Sequence, residues 1–324
     1  MTPAKMPFVF RNGKVATNRI VVPAMASKTA DETGSATELT VAHYDRLARS
    51  GAGIVFVEYS FVHQSGKAEP RQLGMANEDH QRAAVPIAQT IHKHGSLAGL
   101  QIAHAGGKTT TAITGMPLQS PSGVVVPARG RDLEIPVALS EAQIQDWKKW
   151  FVDAALRVAG AGFDMVELHG AHGYGLNQWM SPLTNTRSGA YGRHERSRLV
   201  CEIVSAIRAL VPQLLVSVRL AGRDFLEGGL EGSDMVIMAQ QFVEAGVDVL
   251  NVSSGLGGWN TPEAAIEEGF LVPQAAVIQQ AVSVPVVGVG GIKTLEFVNQ
   301  GVKRRSFEFA AVGRAILHGQ WRWD

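Results

Sequence analysis

Two histidines and a tyrosine stand together in His169-Gly-Ala-His172-Gly-Tyr174, immediately after the apolar run Phe163–Leu168. Imidazoles three residues apart at a strand end can converge on one oxygen. Each neutral ring donates through one nitrogen, so the pair can polarise a carbonyl or hold an anion. Tyr174 carries a phenol that is protonated at neutral pH and can give a proton. A metal pair fits less well: the Glu of a His-Glu-x-x-His motif is missing and no third ligand lies nearby. A pair of hydrogen-bonded structural histidines stays open as the other reading.

Two glycine clusters lie late in the chain, Val287-Gly-Val-Gly-Gly-Ile292 and Ala311-Val-Gly-Arg-Ala315. Bare glycine lets backbone N–H groups approach a phosphate closely, and Arg314 can add a charge-assisted bond. A Walker site is excluded, since no Gly-Lys-Ser/Thr follows Gly288–Gly291. Gln101 and Arg219 each end an apolar run. Singly, either suits a structural role. Together they suit a planar ligand with acceptors and an N–H edge, because an amide pairs both and a fixed cation stabilises negative charge on an electron-rich ring. A reduced flavin is such a ligand.

What positions these residues is a recurring strand-then-helix beat. Short apolar runs at Val21–Pro23, Ile54–Val57, Leu97–Ile102, Phe163–Leu168, Leu214–Leu220, Val247–Val252, Pro285–Val289 and Phe307–Val312 suit strands buried on both faces. Amphipathic stretches at Leu39–Arg49, Glu78–His94, Glu141–Gly160, Arg196–Leu210, Met235–Ala245 and Gln274–Val282 predict helices between them. Ser50-Gly-Ala-Gly-Ile-Val-Phe-Val-Glu58, Ala159-Gly-Ala-Gly-Phe-Asp-Met-Val-Glu167 and Glu244-Ala-Gly-Val-Asp-Val-Leu-Asn251 share one plan: a helix ends at Gly, and a buried strand ends in a polar residue. About eight such units predict a closed (β/α)8 barrel, with an open doubly wound sheet as the alternative. Barrel chemistry collects at the C-terminal strand ends, which here are Pro23–Lys28, Glu58–Tyr59, Gln101–His104, His169–Tyr174, Arg219, Ser253–Ser254, Gly288–Gly291 and Gly313–Arg314. The stretch 104–138, at about 35 residues, is too long for an ordinary connection and reads as an inserted loop or hairpin over the mouth of a single domain spanning 1–324.

Composition sets the outer limits. Of 324 residues, 45% are apolar and 18% charged, which favours a large core. A net charge of +1 suggests neither a nucleic-acid nor a membrane-surface partner. One cysteine, Cys201, excludes an intrachain disulfide framework and a cysteine-held iron–sulfur cluster. No apolar run approaches the ~20 residues that cross a bilayer, and no apolar region follows Lys5 as a secretory signal requires. The expected location is the cytoplasm.

The order of motifs resembles the Old Yellow Enzyme family of FMN-dependent ene-reductases. The resemblance is carried by Asn18-Arg-Ile-Val-Val-Pro-Ala-Met25, Gln101-Ile-Ala-His-Ala-Gly106, Glu167-Leu-His-Gly-Ala-His-Gly-Tyr-Gly-Leu176, Ser181-Pro-Leu-Thr-Asn-Thr-Arg187 with Tyr191-Gly192, Val218-Arg-Leu220 and the late glycines, from about Phe8 onward. It implies a barrel holding FMN noncovalently, with NADPH or NADH as hydride donor and an electron-poor alkene as the small-molecule substrate. Pro23, Ala24, Met25 and Ala26 would line the flavin, Gln101 would bond its pyrimidine edge, and Arg219 would stabilise the reduced anion. Gly290, Gly291, Gly313 and Arg314 would bind the phosphate. Tyr59 and Ser254 complete the expected cofactor-binding set. His169 and His172 would hold the substrate's oxygen and Tyr174 would protonate it.

The chain departs from its relatives in places. Ala26 replaces a Thr or Cys that tunes the flavin, and Lys28 replaces a substrate-contacting Tyr, so Lys28 either favours an anionic substrate or points to solvent. Gly107 stands where Arg is usual, and Lys303-Arg-Arg305 reads as solvated surface. The sequence ends ten residues after Arg314, so an oligomer partner is expected to cover barrel surface there. The rival functions are a flavin-free barrel lyase or isomerase acting on a phosphorylated substrate, and a noncatalytic flavin-binding barrel.

Overall fold

Eight parallel strands close on themselves in chain order: β1 (Ile20–Val22), β2 (Ile54–Phe61), β3 (Leu97–Ala103), β4 (Met165–Gly170), β5 (Leu215–Ala221), β6 (Val249–Ser253), β7 (Val286–Gly288) and β8 (Phe309–Ala311). Pairing of Ala310 with Ile20 and Ala311 with Val21 joins β8 to β1, which excludes the open-sheet alternative. This computed structural model describes residues 2–128, 130, 132–258 and 267–324. Residues 129 and 131 of the excursion lie outside the described residues.

The helices between strands are α1 (Glu38–Ala48), α2 (Glu78–Lys93), α3 (Glu141–Gly160), α4 (Arg198–Leu210), α5 (Gly232–Ala245), α6 (Val272–Ala281) and α7 (Leu295–Lys303). Capping side chains start several of them. Ser140 accepts from Gln143 N while the Gln143 side chain returns to Ser140 N, which satisfies two otherwise orphaned donors of α3. Helix α7 and the short helices Thr111–Thr114 and Gly175–Met180 were not expected from the sequence pattern, whereas a short last helix was, and it spans Arg314–Leu317.

Successive residues of a strand point to opposite faces, and two cores result. Val55, Val57, Val166, Leu168, Val216 and Val218 pack outward against the helices. Val21, Ile54, Phe56, Met165, Leu215, Val249, Val287 and Phe309 fill the barrel interior. An antiparallel hairpin of Phe8–Val9 and Val15–Ala16 closes the far end, its Phe10 ring stacked 5.9 Å from Phe309. Arg11 pairs with Asp248 and Lys14 with Asp164 at this rim. Those two aspartates occupy the same place in the repeated plan. Asp164 Oδ2 accepts from Ala98 N at 2.8 Å and Asp248 Oδ2 from Val216 N at 2.7 Å, so each clamps the start of a neighbouring strand.

The excursion after β3 is not a hairpin. It holds one helical turn, and Gln119–Ser120 pair in parallel with Val137–Ala138, a pairing that a tight turn cannot make. Its Pro, Gly and Thr content signals turns without revealing strand direction.

Candidate functional site

Above the apolar interior, the same inward strand positions become polar. Met165 gives way to Glu167 and His169, Leu215 to Ser217 and Arg219, and Val249 to Asn251 and Ser253. Glu167 is fully buried and accepts three bonds: Gln101 Nε2 at 2.7 Å, Ser217 Oγ at 2.9 Å and Asn251 Nδ2 at 3.0 Å. A carboxylate only accepts, so it compels Gln101 to present its amide nitrogen downward. Burial pushes the Glu167 carboxyl up, opposed by the Arg219 guanidinium and those three donors. Burial also pulls Arg219 down, opposed by Glu167. Arg219 Nη1 donates to Ala24 O at 3.2 Å, which ties the loop after β1 to the mouth.

His169 and His172 face one another with ring centroids 5.2 Å apart, and Tyr174 lies 4.9 Å from His169. The structure thus assembles the three residues singled out by spacing. His172 adopts a positive φ of 58°, and its Nε2 bonds Ser253 Oγ at 2.7 Å. Burial holds both imidazoles well below their usual range, and the positive charges of Arg219 and Lys108 reinforce it. Each ring is therefore neutral near pH 7, with one donor and one acceptor nitrogen. Lys108 Nζ donates to His172 O and sits 5.0 Å from the Tyr174 ring centroid.

A third histidine, His104, starts the excursion. It accepts from Gly106 N through Nδ1 at 3.0 Å and meets Ser65 Oγ through Nε2 at 3.0 Å, and burial holds it neutral. The folded pKa of such a ring lies below its unfolded value of about 6.5. Its contribution to stability is complete above that pH and falls, by about 1.4 kcal/mol per pH unit for each ring, as pH drops from 6.5 toward the folded value. Urea unfolding of the wild type should weaken between about pH 7 and 5.5, and the His104→Gln variant should show a shallower acid limb. An equally steep limb in that variant would remove His104 from the acid sensitivity.

The glycine clusters also converge. Gly290 has φ +124°, and a Cβ there would stand 2.8 Å from Leu271 N. Gly291 has φ +68° and lies beside the Arg314 guanidinium, while a Cβ on Gly313 would press on Met25 Sδ and Pro23 Cγ at 3.1 and 3.3 Å. Gly290, Gly291, Gly313 and Arg314 thus share one corner with the Pro23–Ala26 loop. Lys28 pairs with Glu69 at 2.9 Å while its side chain stays 66% exposed.

Strand β2 breaks the alternation, with a register shift between Val57 and Ser60. The bulge sends Glu58 to Ser27 N at 3.1 Å and to the Tyr44 hydroxyl, which donates to it at 3.3 Å. It brings the Tyr59 ring to Tyr174, centroids 5.2 Å apart, and near Ala103 and Ala105. The sequence reading missed Glu167, Ser217, Asn251, Glu69 and Lys108. The polar strand end repeated at Glu58, Glu167 and Asn251 was the one available signal.

A parallel (β/α)8 barrel with a glycine-and-arginine corner after its last strands and an ordered polar floor at its mouth defines a class of cofactor-holding barrel enzymes. Comparison with known proteins narrows the class. The NADH:flavin oxidoreductase / NADH oxidase family matches residues 6–320, and the chain belongs to this family of FMN-dependent, NAD(P)H-using oxidoreductases. An NADH oxidase of Thermoanaerobacter brockii is 35% identical over 96% of this chain and 49% of its own length. An NADPH dehydrogenase of Halalkalibacterium halodurans is 32% identical over 95% of this chain and 89% of its own. The chain therefore spans about half of the first relative and most of the second. Among solved structures, an old yellow enzyme homologue from Zymomonas mobilis superposes with a TM-score of 0.83 at 23% identity, covering 96% of this chain and 88% of that one. A 2-naphthoyl-CoA reductase reaches 0.90 at 19% identity, covering 96% and 50%. Both likenesses are of fold.

The residues of this chain fit FMN on their own terms. His169 Nδ1, Arg219 Nε, Asn251 Oδ1 and Ser254 Oγ are buried without a hydrogen-bond partner. They sit at the C-terminal ends of β4, β5 and β6, on the side where Gln101 and the glycine corner lie. Orphaned buried polar atoms are costly and rare, and a planar heterocycle with a phosphate tail satisfies both the floor and the corner. Among the described residues no cluster of three His, Cys, Asp or Glu side chains could hold a metal ion, and no helix is long and apolar enough to cross a membrane.

Proposed function

We propose that this chain reduces C=C bonds conjugated to a carbonyl or nitro group, using hydride from NADH or NADPH. The single observation that supports this most is the rim cluster of His169, His172 and Tyr174, whose two neutral imidazoles include one buried nitrogen with no partner. His169 and His172 hold the substrate oxygen and draw charge onto it, which leaves the β-carbon electrophilic. Tyr174 supplies the proton to the α-carbon. Pro23, Ala24, Met25, Ala26, Tyr59, Gln101, Arg219 and Ser254 hold the flavin ring and side chain, and Gly290, Gly291, Gly313 and Arg314 its phosphate. Bound FMN supplies two-electron hydride exchange, which the side chains cannot perform. One rim serving both nicotinamide and alkene implies ping-pong kinetics.

The test is anaerobic. The FMN-loaded chain is mixed with NADH or NADPH, then with cyclic enones, maleimides and nitroalkenes. Bleaching by a nicotinamide and recolouring by an enone is the expected result. Bleaching without recolouring by any of these alkenes overturns the substrate class, and no bleaching overturns the reductase reading. The Arg314→Ala variant is expected to bind FMN roughly 10- to 100-fold more weakly in a fluorescence titration, the usual worth of one charge-assisted bond. Unchanged affinity would place the phosphate elsewhere.

A further inference from the structure

The Tyr59 hydroxyl donates to Glu69 Oε1, and the Tyr59 ring lies against the Tyr174 ring with centroids 5.2 Å apart. Glu69 is not a loosely held surface carboxylate. Gln72, 1% exposed, accepts from Ala68 N at 2.7 Å and donates to Tyr59 O at 3.1 Å, which pins the segment carrying Glu69 to the bulge of β2. Exposure rises steadily outward along the path: Tyr59 is 9% exposed, the Glu69 side chain 22% and the Lys28 side chain 66%. A row of groups that carry exchangeable protons therefore leads from the solvent-facing Glu69 through Tyr59 to Tyr174 beside His169. The bulge creates it, because regular alternation would aim Tyr59 away from the mouth.

We propose that Tyr59 and Glu69 form a proton relay that recharges Tyr174 from solvent. The proposal rests on the reading of Tyr174 as the proton donor in alkene reduction. With Glu69 ionised, hydrogen bonds run outward: Tyr174 donates to Tyr59, and Tyr59 donates to Glu69. A proton taken from water by Glu69 reverses the line, so that Glu69 donates to Tyr59, Tyr59 to Tyr174, and the Tyr174 hydroxyl turns to the substrate. Transfer then moves three protons by one place each. The Tyr174 O–H bond breaks as the α-carbon C–H bond forms, the Tyr59 proton passes to Tyr174, and the Glu69 proton passes to Tyr59. Glu69 is left ionised and the line again points outward. One proton has entered from water and one has left on carbon, with no change of oxidation state in any side chain. The charged and titratable groups facing Glu69 are Lys28, Tyr59 and, through charge repulsion, Glu58; Lys108 and His169 face the inner end at Tyr174.

The experiment labels tyrosine Cζ with carbon-13 in the FMN-bound full chain, which has four tyrosines to resolve. The Tyr59 and Tyr174 resonances should shift together with one midpoint as the pH is varied, and Glu69→Gln should abolish both shifts. In the same preparation, recolouring of the reduced chain by 2-cyclohexen-1-one should slow about tenfold or more in Glu69→Gln and in Tyr59→Phe, against a much smaller change in bleaching by the nicotinamide. Glu69→Asp or added formate should restore part of the rate. A Tyr59 shift without a Tyr174 shift, or an unaltered recolouring rate in Glu69→Gln, overturns the relay while leaving the ene-reductase reading intact. A wild type that never recolours with alkenes, yet shows the coupled shifts, overturns that reading instead.

Discussion

The Glu167→Ala variant is expected to lose about 3–5 kcal/mol of unfolding free energy, because it leaves the buried Arg219 charge without the nearby carboxylate that offsets it. Arg219 cannot neutralise itself, because a guanidinium keeps its proton. Its Nε already lacks a partner, and Ala24 O alone does not balance the charge. Gln101, Ser217 and Asn251 would each lose an acceptor in a dry site, at about 1–3 kcal/mol per stranded group before relaxation. The total is a large share of the roughly 5–15 kcal/mol that holds a domain folded. The pair need not be stabilising in itself. Burial pushes the Glu167 carboxyl up, so ionising it inside is disfavoured relative to water, and the penalty appears when Arg219 is left alone. The double variant Glu167→Ala/Arg219→Leu should therefore be less damaged than the sum of its singles, by more than about 1 kcal/mol. Denaturant unfolding of the cofactor-free chain measures both. A Glu167→Ala loss below about 1 kcal/mol would mean that water or rearrangement reaches this floor.

The barrel was legible because buried parallel strands read as short continuous apolar runs, and each of the eight expected runs overlaps an observed strand. The ends were less legible. Strand β2 continues to Phe61, past the polar Glu58 that seemed to stop it, because the bulge gives Glu58 hydrogen-bond partners beside α1. Helix α7 escaped notice because it is nine residues long and its interior holds Gly301, a poor helix former that lets the Phe307 ring pack close. The direction of pairing inside the excursion depends on contacts far apart in sequence, which no local pattern records.

The site followed the same division. Residues whose chemistry is unusual for a strand end stood out in combination: His169 with His172, and Gln101 with Arg219. Glu167 and Asn251 did not, because their meaning lies in register: Gln101 lies opposite Glu167, and Glu167 opposite Ser217. Glu69 was invisible for another reason. It lies in an irregular segment, and only the Gln72 clamp and the β2 bulge bring it to Tyr59.

Tyr174→Phe should lower the rate of enone reduction by about 10²- to 10⁴-fold, the range for loss of a positioned general acid. The phenyl ring keeps the packing against Tyr59, Ala68, Ala103 and Ala105, so only the hydroxyl is removed. Bleaching by NADH or NADPH needs no proton on carbon and should change by no more than about twofold. An acceptor that takes the electrons without carbon protonation, such as a quinone, should likewise be reduced at nearly the wild-type rate. That split separates a proton donor from a packing residue, which would slow every half-reaction through a distorted mouth. The Lys108 ammonium near the ring stabilises the negative charge that the departing proton leaves behind, so Lys108→Met should slow the same step and spare the quinone. If Tyr174→Phe reduces the enone at the wild-type rate, water delivers the proton, and the rim serves only to bind and polarise the substrate through His169 and His172.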